Sequence, residues 1–232
     1  MQAIILCGGK GERLRPLTDK TPKPLVEVNG VPIIVHIINH LFSHEIKDII
    51  LATGYMAESF NNFFENYNCD SNISIIDTGD QDIIGRILST KDSINDDFLV
   101  LYGDTISNIN VTDLVQFHKK NKNVSTVSVW PLETQFGLVD IDKNNLVKGF
   151  QEKPRLDKWI NIGYFCFSRK IFEVMHSYNS FEDFLVGVTL RKILSAYKHE
   201  GIHLTINTLQ ELDYAEKKIS SAFSIKGVSN ER

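Results

Sequence analysis

The densest group of residues that could do chemistry follows the first apolar segment, in the range 7–15, which reads CGGKGERLR. Its glycines let the backbone approach a ligand closely, and their exposed N–H groups can hold phosphate oxygens. Lys10, Arg13 and Arg15 add positive charge at the same place. The alternative is an ordinary turn with solvated charges, because neither the P-loop pattern nor the full G-x-G-x-x-G pattern is present.

A second short segment favours the phosphate-binding interpretation. Lys23 lies between Pro22 and Pro24, and the two prolines fix the backbone and prevent a helix. The lysine amine is therefore expected on a rigid loop beside the glycine-rich segment. A cation held in place next to a phosphate cradle is what a reaction at a triphosphate needs.

Alternating strands and helices must position these two loops. In the first half, continuous apolar runs predict buried strands, and amphipathic patterns between them predict helices. The strands are predicted at Gln2–Cys7, Asp48–Thr53, Ile73–Ile76 and Phe98–Tyr102. The helices are predicted at Pro32–Ile46, Ala57–Tyr67, Arg86–Ile94 and, with Asn110 as N-cap, up to about Asn121. This alternation predicts an α/β fold with a mainly parallel sheet flanked by helices.

The second half has closely spaced strands without long helices between them. These are predicted at Ser125–Val129, Leu138–Ile141, Val147–Gln151 and Ile162–Phe167. We interpret them as an antiparallel or mixed extension of the same sheet. A helix at Ser180–Tyr197, a strand at His203–Ile206 and a helix at Gln210–Phe223 are expected to follow. Because no segment has the composition of a linker, a single domain over residues 1–223 with a tail at 224–232 is predicted.

Composition excludes several classes of protein. Among the 232 residues, 25 Lys and Arg oppose 29 Asp and Glu, a net charge of −4, which argues against a nucleic-acid-binding face. No apolar run approaches the ~18 residues of a membrane span, so no membrane partner is expected. Cys7, Cys69 and Cys166 have neither metal-ligand nor disulfide-framework spacing. His36 and His40 are more typical of a packed helix face than of a zinc site. A soluble, cytoplasmic protein is the expectation.

Gly8–Leu14, together with Pro22–Pro24, resembles the signature of the sugar-1-phosphate nucleotidylyltransferases. Later segments agree with this family in order and spacing. Tyr102–Asp104 resembles its metal-binding element at a strand end. Three further segments resemble the sugar-phosphate elements of the family: Phe136–Val139, Phe150–Pro154 and Asn161–Phe165. The resemblance covers about residues 1–220 and implies a Rossmann-like, mixed but mainly parallel nucleotidyltransferase fold, with a nucleotide-binding half at 1–122 and a sugar-phosphate-binding half at 123–223.

The resemblance also implies a reaction and the roles of its residues. Such enzymes join a nucleoside triphosphate to a sugar 1-phosphate and release pyrophosphate, with Mg²⁺ as cofactor. Arg13 and Lys23 would be the catalytic cations. The nucleotide would be bound by Leu6, Gly8, Gly9, Gly11, Thr78, Gly79 and Gly85. The sugar phosphate would be bound by Gly137, Glu152, Lys153 and Asn161. Asp104 would bind Mg²⁺.

One position departs from the family pattern. Asn207 stands where a second Mg²⁺-binding Asp is expected before the last helix. An amide oxygen can ligate Mg²⁺, but it lacks the charge and should bind the ion more weakly. Three explanations are open: an active enzyme with altered metal use, another ligand such as Asp213, or a degraded homologue. The first is favoured because Gly11, Arg13 and Lys23, among others, are intact.

The expected partners are a nucleoside triphosphate and a sugar 1-phosphate, and a homo-oligomer is left open. The segments at 76–79, 85–86 and 150–165 look most like those of bacterial glucose-1-phosphate cytidylyltransferases, which favours CTP and a role in polysaccharide biosynthesis. The alternatives are a guanylyl- or thymidylyltransferase of another sugar 1-phosphate, a nucleotidyltransferase acting on phosphocholine or a similar phosphate, and a catalytically silent nucleotide-binding homologue.

Overall fold

A seven-stranded sheet with helices on both faces forms the centre of the protein. The computed structural model describes residues 1–67, 69–134 and 136–222, without the side chains of 220–222. The strands are β1 (Gln2–Leu6), β2 (Glu27–Val28), β3 (Val31–Pro32), β4 (Asp48–Thr53), β5 (Asn72–Asp77), β6 (Phe98–Tyr102), β7 (Thr105–Ser107), β8 (Ser125–Glu133), β9 (Leu138–Ile141), β10 (Val147–Gln151), β11 (Arg155–Phe167), β12 (Leu194–Lys198) and β13 (His203–Thr205). The helices are α1 (Ile33–Ser43), α2 (Ala57–Glu65), α3 (Ile83–Ser89), α4 (Val111–Asn121), α5 (Ile171–Met175), α6 (Phe181–Leu190) and α7 (Leu209–Ala222).

The order of strands in the central sheet is β12-β8-β11-β6-β1-β4-β5. All of them run in the same direction except β11, which is antiparallel to both of its neighbours. The prediction of an α/β fold with a mixed, mainly parallel sheet is therefore confirmed. Among the residues described, no helix combines the length and the apolar character that crossing a membrane requires.

The apolar core lies in two layers, one on each face of the sheet. Strand β1 is buried on both faces, with Ala3 and Ile5 in one layer and Ile4 in the other, as a continuous apolar run predicts. Helices α1, α2, α4 and α7 cover the first layer, and α3, α5 and α6 cover the second. This arrangement leaves the ends of the strands as the edge where loops can form a site.

The predicted helix at Ser180–Tyr197 is wrong in its second half. Ser180 caps α6 as expected, accepting a hydrogen bond from the Asp183 backbone N–H at 3.1 Å. The helix ends at Leu190, and the chain turns at Lys192, whose φ is 57°. The next residues form β12, which pairs in parallel with β8 at the edge of the sheet. Hydrogen bonds to the otherwise unpaired backbone groups of β8 favour a strand here over the helix that the local pattern predicts.

Two further expectations need correction. Strands β9 and β10 pair with each other as a separate antiparallel hairpin, so they do not extend the central sheet. Helix α3 begins at Ile83 rather than at Arg86, because the Asp82 carboxylate accepts the Gly85 backbone N–H at 2.8 Å and caps it there. The predicted helix end at Phe223 and the tail at 224–232 lie outside the described residues, and the division into two halves at 122/123 stays a prediction.

Three histidines, His40, His199 and His203, lie close enough together inside the fold to influence one another. Burial lowers the pKa of His40 to about 4 and the pKa of His203 to about 4. His40 Nε2 bonds the Ile109 carbonyl at 2.8 Å. The Nδ1 atom of His203 is buried without a hydrogen-bond partner in the part of the chain that the structure describes. The rings of His40 and His203 are therefore neutral in the folded protein at pH 7.

We expect the protein to lose stability as the pH falls from 6.5 toward 4. In this window the unfolded chain binds more protons than the folded one, because the ordinary histidine value of 6.5 lies above the folded pKa values of His40 and His203. The loss should be on the order of 2–3 kcal/mol for each ring. Urea unfolding at pH 7 and pH 4.5 measures it. His203→Gln should reduce the difference in unfolding free energy between the two pH values, whereas the same change at the exposed His176 should leave that difference unaltered. An equal difference in the two variants would contradict the assignment.

Candidate active site

A cavity of about 770 Å³ opens at the carboxyl ends of β1 and β6. The chain leaves β1 toward β4 on one side and later returns to β6 on the other, and crevices at such points are the usual ligand sites of α/β sheets. Eight of the residues predicted from the sequence line this cavity: Leu6, Gly8, Gly9, Gly11, Arg13, Lys23, Asp104 and Asn207. The structure thus brings together the predicted catalytic, metal-binding and most of the predicted nucleotide-binding residues.

The glycine-rich loop owes its shape to two close approaches. A Cβ atom at Gly8 would lie 1.7 Å from Nη1 of Arg86, so a guanidinium fills the space that a side chain would need. Gly11 has φ of 62°, and a Cβ there would lie 3.0 Å from Cβ of Lys23. Its carbonyl accepts the Thr18 hydroxyl at 2.9 Å. Gly9 has open space around its Cα. Only glycines permit this backbone to sit against both cations.

Two cations and two oxygen-bearing side chains form one network at the cavity wall. Nζ of Lys23 donates to Oδ2 of Asp104 at 2.5 Å and to Oδ1 of Asn207 at 2.8 Å. Nη2 of Arg13 donates to the same Asn207 oxygen at 2.9 Å. The Lys23 side chain is only 11% exposed, whereas that of Asp104 is 27% exposed. Burial fixes the Lys23 amine, and the exposed Arg13 guanidinium gives the network one more positive than negative charge.

The segment around Lys23 differs in one respect from its prediction as a loop without helix. Pro22 precedes a single 3-10 turn, Lys23–Leu25, in which the Leu25 backbone N–H bonds the Pro22 carbonyl at 2.8 Å. Proline is compatible with the first turn of a helix because no backbone N–H is needed there. The amine is held rigidly, as expected, but by a buried turn.

Asn207 is positioned from both sides. On its N-terminal side, the Ile206 backbone N–H bonds the Asp104 carbonyl at 3.0 Å, next to the β7–β13 pair. On its C-terminal side, Thr208 and Glu211 form a capping box, in which Glu211 N–H bonds the Thr208 hydroxyl at 3.2 Å and Oε2 of Glu211 accepts Thr208 N–H at 2.9 Å. The same Oε2 accepts the Asn207 backbone N–H at 2.8 Å. The T-x-x-E spacing was a signal in the sequence for this helix start.

The predicted base-reading residues Thr78, Gly79 and Gly85 do not line the cavity; the neighbouring residues 80–83 do. The Thr78 hydroxyl is buried and bonds the Thr53 carbonyl at 2.6 Å. Gly79 turns the chain with φ of 69°, and Gly85 lies in the first turn of α3 under the Gln81 side chain. These three residues therefore shape the segment rather than forming the cavity surface.

Arg86 is the residue that sequence reasoning left out of the site. Its guanidinium is buried and donates to the Thr53 carbonyl at 2.8 Å, to the Thr78 hydroxyl at 2.7 Å and to the Gly8 carbonyl at 3.0 Å. Burial lowers its pKa, and the nearby Asp80 is the strongest of the opposing influences. A single arginine among the apolar residues of a short helix was the signal for a buried functional role.

The predicted sugar-phosphate residues lie outside the cavity lining. Gly137 packs under the Phe150 ring, and Glu152 and Lys153 form an exposed ion pair at 3.9 Å beside the β9–β10 hairpin. Oδ1 of Asn161 accepts the Gly163 backbone N–H at 2.9 Å, and Gly163 packs against the ring of Tyr102, which lines the cavity. Burial raises the pKa of Tyr102 to about 12, so its hydroxyl stays protonated.

The carboxylate of Asp104 meets the requirements of an Mg²⁺ ion that arrives with a nucleotide. Mg²⁺ is usually bound by one or two carboxylates together with substrate phosphates and water. Oδ1 of Asp104 accepts the Thr105 hydroxyl at 3.2 Å, and the side chain faces the cavity. Within the described ranges, no group of three or more His, Cys, Asp or Glu side chains is placed to hold a metal ion by itself. The expectation of Mg²⁺, with Asn207 as second ligand, stays a prediction.

Comparison with known proteins agrees with this geometry. The NTP_transferase family, described as nucleotidyl transferase, matches residues 2–207. The chain belongs to the nucleotidyl transferase family.

Relatives of this nucleotidyl transferase carry out related reactions on different bases. The glucose-1-phosphate cytidylyltransferase of Salmonella typhi is 30% identical, over 93% of this chain and 95% of its own length. The mannose-1-phosphate guanyltransferase of Gibberella zeae is 36% identical, over 75% of this chain and 51% of its own. A solved UDP-glucose pyrophosphorylase shares the fold, with a TM-score of 0.74 and 16% identity over 95% of this chain and 98% of its own. The predicted membership of the sugar-1-phosphate nucleotidylyltransferases is confirmed.

Replacing Arg86 by Lys in this nucleotidyl transferase should weaken nucleotide binding at least about tenfold. A lysine keeps the charge but cannot bridge the carbonyls of Thr53 and Gly8 with a planar fork of donors. Losing the charged hydrogen bonds to these two carbonyls, which keep donors in Thr78 and Tyr55, should also lower the free energy of unfolding by about 1–3 kcal/mol. Calorimetric titration with nucleoside triphosphate and urea unfolding measure the two effects. The exposed Arg191→Lys is the control, and unchanged nucleotide affinity in Arg86→Lys would refute this role.

Proposed function

We propose that the protein transfers a cytidylyl group from CTP to a sugar 1-phosphate, with glucose 1-phosphate as the first acceptor to test. The observation that carries the reaction class is the network of Lys23, Arg13, Asp104 and Asn207 beside the glycine-rich loop. The preference for CTP is supported by the cytidylyltransferase relative, which matches nearly the full length of the chain.

The reaction is an in-line displacement at the α-phosphorus. A phosphate oxygen of the sugar 1-phosphate forms a new bond to that phosphorus while the bond to the oxygen bridging the α- and β-phosphates breaks. The bridging oxygen and its electron pair leave with pyrophosphate. Because the attacking phosphate oxygen is already anionic, no general base is needed, and catalysis depends on positioning and on neutralising charge.

Each cation of the network has a place in this displacement. In this proposal Lys23, held on its buried turn, neutralises charge on the α-phosphate, and Arg13 holds the β- and γ-phosphates as they become pyrophosphate. Backbone N–H groups of the glycine-rich loop can hold phosphate oxygens between these side chains. A bound Mg²⁺, held by Asp104, would supply further charge neutralisation at the phosphate oxygens. The acceptor would approach from the side of Asn161 and Tyr102.

Alanine at Lys23 should reduce turnover roughly 100–1,000-fold, the usual cost of removing one group that stabilises developing charge. Alanine at Asp104 should abolish turnover at ordinary Mg²⁺ concentration and leave the fold intact. Pyrophosphate release measures both. Lys20→Ala and Asp92→Ala, which change exposed residues outside the cavity lining, are the matched controls. Full activity of both site variants would overturn the site assignment.

The substrate test crosses CTP, GTP, dTTP, UTP and ATP against a panel of sugar 1-phosphates in the presence of Mg²⁺, with phosphocholine as a non-sugar acceptor. Release of pyrophosphate with CTP and one sugar 1-phosphate is the expected result. Release of pyrophosphate with another nucleotide would show that the base is not cytosine. Release only with phosphocholine would show that the acceptor is not a sugar 1-phosphate. Nucleotide binding without release under any condition would identify a silent homologue.

A further inference from the structure

Asn207 has an unusual share of the hydrogen bonds in the site. Its Oδ1 atom accepts from Nζ of Lys23 at 2.8 Å and from Nη2 of Arg13 at 2.9 Å. An amide oxygen has two lone pairs, and both are directed at these two cations. In this arrangement the oxygen has no lone pair left for a metal ion.

The position of this oxygen cannot adjust easily. The Asn207 backbone N–H is bonded to Oε2 of Glu211, and the preceding residue is bonded to the Asp104 carbonyl. The side chain therefore projects from a fixed point between β13 and the capped start of α7. Its amide acts as a bridge that holds the ends of Lys23 and Arg13 together, although the two side chains carry like charge.

The charge of the group changes what it attracts. Lys23 and Arg13 contribute two positive charges and Asp104 one negative charge, so the group with a neutral Asn207 carries a net charge of about +1. At this point of the cavity wall such a group favours a polyphosphate and opposes a free divalent cation. An Asp at this position would bring the net charge to about zero and add a second carboxylate for the metal. Elsewhere in the lining, Glu12, Asp80 and Asp82 exceed Lys10 and Arg86 by one negative charge, so the positive charge is local to the group.

We propose that Asn207 is a positioning residue that clamps Lys23 and Arg13 for the triphosphate, and that the divalent metal consequently binds only together with the polyphosphate. This inference rests on the proposed function, because it assigns the cavity to a triphosphate. The protein accordingly binds polyphosphate before or without metal, and it does not hold a metal ion in the empty cavity.

The experiment uses the full chain and two probes that do not depend on the base. Calorimetric titration with inorganic tripolyphosphate in EDTA measures how tightly Lys23 and Arg13, held by Asn207, bind a polyphosphate without metal. Mn²⁺, followed by electron paramagnetic resonance without any phosphate, reports metal binding to the protein alone. The variants are Asn207→Asp, which adds the charge, and Asn207→Ala, which removes the bridge without adding charge. Asn121→Asp, an exposed change in α4, is the matched control.

In Asn207→Asp we expect tripolyphosphate affinity in EDTA to fall, and Mn²⁺ affinity without phosphate to rise, each at least about tenfold, because unit charges a few Å apart interact strongly near a protein surface. In Asn207→Ala we expect weaker tripolyphosphate binding with no gain in Mn²⁺ affinity. If Asn207 had a merely structural role, Asn207→Asp would not lower the tripolyphosphate affinity and raise the Mn²⁺ affinity at the same time. Tight Mn²⁺ binding by the unaltered protein without phosphate, or unchanged tripolyphosphate binding in both variants, would overturn the proposal.

Neither probe requires turnover, so the two proposals can fail separately. If tripolyphosphate and Mn²⁺ behave as expected but no pyrophosphate is released with any substrate pair, the proposed reaction is wrong and the clamp stands. If pyrophosphate is released normally but the two affinities do not respond to Asn207→Asp, the reaction stands and the clamp is wrong.

Discussion

The site depends on holding two like charges next to one oxygen atom. Lys23 and Arg13 both donate to Oδ1 of Asn207, within 2.9 Å, and their repulsion must be offset by the Asp104 carboxylate and by the dipole of the amide. These four side chains come from four separate segments: the glycine-rich loop, the proline-flanked turn, the end of β6 and the start of α7. The parallel sheet brings these segments to one edge, and the short turns around them keep each donor in place.

A second constraint links the glycine-rich loop to the segment where the base is expected. The buried Arg86 guanidinium joins the Gly8 carbonyl to the ends of β4 and β5 through the Thr53 carbonyl and the Thr78 hydroxyl. A Cβ atom at Gly54 would lie 2.4 Å from the same guanidinium. The glycines around Arg86 are therefore required by the arginine as well as by any ligand. The glycine-rich loop and the ends of β4 and β5 thus share one structural connection.

The cavity and the predicted acceptor elements differ in how firmly the fold supports them. Residues that line the nucleotide cavity project from strands buried between two apolar layers. The predicted acceptor elements on the β9–β10 hairpin have no such support. Among the described residues the two strands pair only with each other, and Phe136 and Phe150 are largely exposed. A two-stranded ribbon has little core of its own. Strand β11, which pairs with β6 and packs Gly163 against the Tyr102 ring, connects these elements to the cavity wall.

The sequence by itself predicted the fold class, the four strands that the first half contributes to the central sheet, and eight of the residues that line the cavity. The short strands β2, β3 and β7 were not predicted. A continuous apolar run as short as Gln2–Leu6, followed by a glycine-rich loop, predicts a strand buried on both faces of a sheet from the local sequence alone. The glycine and proline patterns around Arg13 and Lys23 likewise act locally on the backbone. The resemblance to a family then added Asp104 and the position of Asn207, which local patterns alone would not have singled out.

Only the tertiary structure decided the contacts between distant segments. The strand β12 formed where a helix was expected because the open edge of β8 offered backbone partners that the local pattern does not contain. The role of Arg86 required knowing that the Gly8 carbonyl lies beside it, 78 positions away in the chain. In the sequence Asn207 is interpreted as a weakened metal ligand. Its hydrogen bonds to two cations are seen only in the structure, because Arg13 lies 194 positions away in the chain. Hydrogen bonds across such separations depend on the register of the whole sheet, which no local pattern specifies.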